Sequence, residues 1–86
     1  MNRHEIKVNG FYFINTTANY YTERTVLYKN ERYSIKNIID NGGLVFVLRK
    51  GFTAFQVYLY YKEEFLNGED SDILVLENEF IKINTN

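Results

Sequence analysis

From Val26 to Phe65 apolar and polar residues alternate, with breaks at Asn30, at Asp40-Asn41-Gly42-Gly43 and at Lys50-Gly51, and no proline occurs anywhere in the chain. A period of two bounded by turn residues predicts an antiparallel β-meander. Glu23 to Lys29 and Arg32 to Ile39 read as a hairpin closed by Asn30-Glu31. Val26 and Tyr28 fall on one face of its first strand, and Tyr33, Ile35 and Ile39 on one face of its second. Asn-Glu is a weaker two-residue turn than Asn-Gly, because only its first position readily accepts a positive φ. Leu44 to Arg49 is almost wholly apolar, the expectation for a strand covered on both sides. Thr53 to Tyr61 places Phe55, Val57, Leu59 and Tyr61 on one face and Ala54, Gln56, Tyr58 and Tyr60 on a second, half-wet face.

Outside the meander the pattern is less regular. Glu5 to Ile14 reads as a strand divided by Gly10, where a bulge or bend is expected. Asn15 to Tyr21 has no period and reads as a loop. Around Tyr61 to Leu66 the alternation is lost, and Tyr61 and Phe65 stand at i, i+4 spacing, which predicts a single helical or 3₁₀ turn. Asn67 to Asp72 is an acidic loop, and Ile73 to Leu76 and Glu79 to Ile83 read as two short closing strands around Glu77-Asn78.

With 86 residues the chain is expected to form one domain, 1–86, since a second core could not be built from what remains. Seven Phe and eight Tyr, with no Trp, supply most of the bulk that core needs. The absence of Cys excludes a disulfide framework and a thiolate metal site. A polar start, MNRHEIKVNG, and the lack of any long apolar run predict a cytoplasmic protein without a membrane span.

The net charge of −1 hides an asymmetry. Met1 to Lys62 carries nine cations against four anions. Glu63 to Asn86 carries seven anions against Lys82 alone. The chain therefore reads as a basic body followed by an acidic end.

Six or seven short strands, a central meander and one helical turn resemble an SH3-like β-barrel, and in particular the small phage-encoded members of that fold. The likeness lies in Lys29 to Ile35 (KNERYSI), Asp40 to Leu44 (DNGGL) and Lys62 to Phe65 (KEEF), and it covers about half the chain. Asn30 stands where that fold usually has Gly in its first turn, and the aromatic pair lining the peptide groove of eukaryotic SH3 domains has no match, so proline-peptide binding is not implied. The expected fold class is all-β, a small antiparallel barrel; an OB-like barrel or a twisted open sheet is the competing architecture.

The chain offers little for catalysis. His4 is the only histidine, Ser34 and Ser71 are the only serines, and no glycine-rich loop leads from a strand into a helix. Glu69-Asp70-Ser71-Asp72 has carboxylates for a hard cation but lacks the Gly and distal Glu of an EF-hand loop, and it reads as solvated. No enzyme activity and no cofactor are expected.

Three binding readings stay open. The first is a non-enzymatic protein that binds and modulates or inhibits a host protein, with an anti-defence inhibitor such as an anti-CRISPR as one form that the phage resemblance implies. Its acidic residues Glu63, Glu64, Glu69, Asp70 and Asp72 would steer toward a basic surface, and Tyr58 and Tyr60 would anchor the contact. The second is a single-stranded nucleic-acid-binding barrel that stacks bases on Tyr20, Tyr21 and Phe52 and holds phosphates with Arg24, Arg49 and Lys50. The third is a virion or assembly protein in which the Tyr-rich strand is an edge, and a homodimer is consistent with it.

Overall fold

A computed structural model describes residues 1–15, 24–40 and 43–81. The fold class is all-β: the described residues form eight strands, β1 (Phe11–Ile14), β2 (Thr25–Tyr28), β3 (Glu31–Ser34), β4 (Leu44–Lys50), β5 (Phe55–Tyr61), β6 (Glu64–Leu66), β7 (Ile73–Val75) and β8 (Phe80–Ile81), and a short helix, α1 (Ile35–Ile39). Arg3–Glu5 and Glu77–Glu79 are 3₁₀ turns. The loop expected over Asn15 to Tyr21 lies, from residue 16 on, outside the described residues, as do Lys82 and Ile83 of the last expected strand.

The large sheet has the order β6-β5-β4-β1-β8, and β7 pairs with β5 on the same edge as β6. All of its pairings are antiparallel. The hairpin β2-β3 forms a second, separate sheet, tied to the first by a bridge from Val26 to Gly68. Among the described residues no pairing joins the β8 edge back to the β6 and β7 edge, and the β2-β3 hairpin and α1 cover one side of the sheet.

Alternation within the strands builds the core. Val45 and Val47 on β4, Phe55, Val57 and Leu59 on β5, and Ile73 and Val75 on β7 are buried on one face. The other layer contributes Val26 and Tyr28 from β2 and Ile35 and Ile38 from α1 to the same cluster. Burying these side chains is worth on the order of 1.5–3 kcal/mol each before the entropy of ordering the chain is subtracted.

Several local expectations change. Arg32 to Ile39 is not one strand: β3 ends at Ser34, whose Oγ accepts the Asn37 N–H at 3.2 Å and caps α1. Ile35, Ile38 and Ile39 then follow helical spacing, and the first two are fully withdrawn from solvent. The hairpin turn is Lys29-Asn30, with φ of 51° and 65°, one residue earlier than expected. Both central residues take the positive φ of a type I′ turn, the form that matches strand twist.

The helical turn expected at Tyr61 to Leu66 is absent. Lys62 and Glu63, with φ of 47° and 67°, form a second turn of the same kind and reverse the chain into β6. Before β1, Ile6 is buried and the chain turns at Asn9, so the strand begins at Phe11 and not at Glu5. Gly10 allows the Tyr12 ring to fold back: a Cβ there would lie 2.7 Å from the ring, and the Tyr12 hydroxyl accepts the Lys7 N–H at 2.8 Å.

Candidate functional site

The side of the large sheet that faces away from the core carries a continuous apolar grid. Strand register aligns it in two rows. Phe11 pairs with Phe46 and Phe46 with Tyr58; beside them Ile81, Phe13, Leu44, Tyr60 and Phe65 run across all five strands of the main path. Residues with the opposite parity, such as Ile14, Val45, Leu59, Leu66 and Phe80, are buried beneath. Phe11 is 49% exposed, Phe13 40% and Phe65 50%. No member of the grid is charged.

Phe65 lies at the centre of the ring contacts. Its centroid is 5.1 Å from Tyr60, 5.3 Å from Phe46, 6.1 Å from Phe11 and 6.2 Å from Tyr58. Phe11 adds Phe46 at 5.1 Å and Tyr60 at 5.6 Å. Tilts between 36° and 81° mean that the rings lean on one another's edges. Such pairs contribute about 0.5–1.5 kcal/mol each beyond burial and hold the surface in one shape. Mutually tilted rings also present few flat faces for a base to stack on.

Of the residues singled out in the sequence, Tyr58 and Tyr60 fall in this grid. Phe11, Phe13, Phe46 and Phe65 were not singled out. LVFVL read as covered on both sides, yet Leu44 and Phe46 are only half-buried, and Phe65 was placed in a helical turn. The available signal was register: FYFI and the Tyr58, Tyr60 parity align once β1 is paired with β4.

The acidic residues are dispersed. Glu69 accepts two hydrogen bonds from Arg32, at 2.7 and 2.8 Å, and one from the Thr25 hydroxyl at 2.7 Å. Bonding to Arg32 first and to Thr25 second holds the Glu69 carboxyl below the ordinary glutamate value, and the same pairing raises the Arg32 guanidinium. Asp72 accepts from the Asn67 amide at 3.3 Å. Asp70 is exposed, Glu63 sits in the β5-β6 turn, and Glu64 alternates with Phe65 and points from the opposite side of β6. The basic body and acidic end therefore meet at Arg32 and Glu69. Among the described residues no three His, Asp or Glu side chains converge as metal ligands.

Part of the nucleic-acid set gathers at the β4-β5 end. Arg24 and Arg49 line a hollow of about 400 Å³ together with Gln56, Ser71, Asp72 and Leu74. Arg24 donates to the Ser71 carbonyl at 3.0 Å and to its hydroxyl. Gly68 permits this loop, because a Cβ there would strike the Ser71 carbonyl at 2.0 Å. Phe52 at the hairpin tip is 96% exposed, and the Lys50 ammonium lies 5.9 Å from the buried Phe55 ring. Tyr20 and Tyr21 lie outside the described residues.

The Tyr-rich strand is not an edge. β5 has β4 on one side and β6 and β7 on the other, so the assembly edge expected there is already paired. Among the described residues no helix is long and apolar enough to cross a membrane.

Compared with protein-family models, with curated proteins and with solved structures, the chain shows no significant match to any of them. The SH3-like likeness of its sequence rests on spacing alone.

Proposed function

We propose that this chain is a non-enzymatic binding domain that attaches to another protein through the open aromatic face of its large sheet and modulates or blocks it. One observation carries the reading. A five-strand, uncharged, ring-packed surface with Phe11 and Phe65 about half exposed is the composition of an interface core, where aromatics concentrate and charges are depleted. The buried core lies on the opposite face, so folding does not account for leaving these rings half exposed. A host protein is the partner class, and inhibition of a nucleic-acid enzyme is the form that the phage resemblance implies.

The acidic residues have a smaller part in this reading than the sequence suggested. Glu69 is paired with Arg32, and Glu63, Glu64, Asp70 and Asp72 are dispersed outside the grid, where charges change association rates more than affinity.

The test is affinity capture from extracts of the producing cell, run in parallel with the wild type, with Phe11→Glu/Phe65→Glu and with Asp70→Lys. Retention of a discrete protein by the wild type and by Asp70→Lys, and its loss from the double variant, is the expected result. Equal retention by the double variant overturns the reading.

A second reading is favoured by the Arg24, Arg49, Lys50 and Phe52 grouping: binding of single-stranded nucleic acid at the β4-β5 tip. Titration with a labelled oligonucleotide at low salt separates the two. Saturable binding that falls steeply with salt and is lost in Arg49→Glu supports it.

A further inference from the structure

We infer that the open aromatic face is self-complementary and that a second copy of this chain covers it, sheet against sheet, about a two-fold axis. This rests on the reading of that face as the binding surface and names its occupant in the absence of the other protein, which would have to displace it.

Charge is the first ground. A face with no formal charge in its interior meets its own image without repulsion, and a net charge of −1 for the whole chain adds little at longer range. The only polar side-chain groups of the grid are the hydroxyls of Tyr58 and Tyr60.

Area is the second. With exposures of 49%, 40%, 50% and 40% for Phe11, Phe13, Phe65 and Ile81, and smaller contributions from the half-buried residues, the face presents on the order of 500 Å² of apolar surface. Two such faces, fully covered, bury roughly 1,000 Å², which reaches the lower limit for a specific interface and fits a weak dimer.

Shape is the third. An isologous contact requires a patch that can meet itself, and two twisted sheets packed face to face interdigitate their outward residues, as in a β-sandwich. The tilted rings around Phe65, at interplanar angles of 36° to 64° to their neighbours, give the face relief rather than a flat surface. Edge pairing along β6 is a poorer route: that strand has three residues, too few for a durable strand-to-strand contact.

Sedimentation velocity across a concentration series of about 1–500 µM, the range in which weak dimers form, tests the inference on the wild type, Phe65→Glu and Phe52→Glu. Both substituted side chains are at least half exposed in the monomer, and circular dichroism checks that each variant folds. The wild type and Phe52→Glu should shift from monomer to dimer with rising concentration, and Phe65→Glu should weaken the dimer about tenfold or more. A wild type that stays monomeric throughout, or a dimer indifferent to Phe65→Glu, overturns the inference. Neither outcome touches the binding reading, which stands or falls on whether the Phe11 and Phe65 variant loses its captured protein.

Discussion

The two faces of the large sheet use the same strands and nearly the same residue types, yet they do different things. Under the sheet, Val45, Val47, Phe55, Val57 and Leu59 are fully buried against α1 and the β2-β3 hairpin. Above it, Phe46, Tyr58 and Tyr60 alternate with them along the same β4 and β5 and have no second layer among the described residues. A half-wet sheet face is ordinarily polar. Here it is aromatic, and the difference teaches that one alternation can build a core on one side and, on the other, an apolar surface of the kind the proposed binding role requires.

The largest effect should come from the inner face. Phe55→Ala removes a fully buried ring packed 5.2 Å from Phe80, and a loss of about 3–5 kcal/mol is expected, comparable with the whole stability of a domain this size. Thermal or urea denaturation measures it. Phe65→Ala, a change of the same size on the outer face, removes a half-exposed ring with its ring contacts and should cost about 1–2 kcal/mol while also acting on association. Equal losses at the two positions would erase the distinction between the faces.

The β5-β6 turn decides which residue goes to which face. Lys62 and Glu63 both hold a positive φ and thereby place Phe65 outside and Leu66 inside; a slip of one residue would exchange them. Non-glycine residues in this region carry strain of about 1–2 kcal/mol. Glu63→Gly should therefore raise stability by about 1 kcal/mol and keep Phe65 on the outer face, as a higher melting temperature with unchanged ring-current shifts would report. A lower melting temperature would contradict the turn assignment.

The smallest effect concerns the seam where hairpin and sheet join. The folded Glu69 carboxyl lies below the ordinary glutamate value, which the unfolded chain keeps. As pH falls the unfolded chain therefore takes up the proton first. The contribution of Glu69 is fully present above the ordinary glutamate value and is lost as pH drops through that value toward the lowered one. Glu69→Gln should flatten the acid side of the stability profile and leave its shape near neutral pH unchanged. An unaltered acid limb would show that the Arg32 contact contributes nothing to folding.

Much of the inner face was legible in the sequence. The parity of Phe55, Val57, Leu59 and Tyr61 predicts their burial, and Val26 with Tyr28 marks β2 correctly. What escaped was set by tertiary context. Neither Lys29-Asn30 nor Lys62-Glu63 carries the glycine that announces a tight hairpin, so one turn was placed a residue late and the other read as helix. Ile35 to Ile39 is compatible with both periods, and the Ser34 cap decides in favour of helix. The outer grid was half visible: Tyr58 and Tyr60 stood out, whereas Phe11, Phe46 and Phe65 join them only once β1 lies beside β4 and β6 beside β5. No local pattern encodes that adjacency.

The central claim, that the outer face is covered by protein in the cell, is tested most directly by site-specific photocross-linking. Benzoylphenylalanine replaces Phe65, and Phe52 in a parallel control, in cells producing the protein. A discrete adduct from position 65 and none from position 52 is the predicted result; a band of twice the chain mass identifies the second copy, and any other mass a different partner. Monomer alone from position 65 would contradict the account.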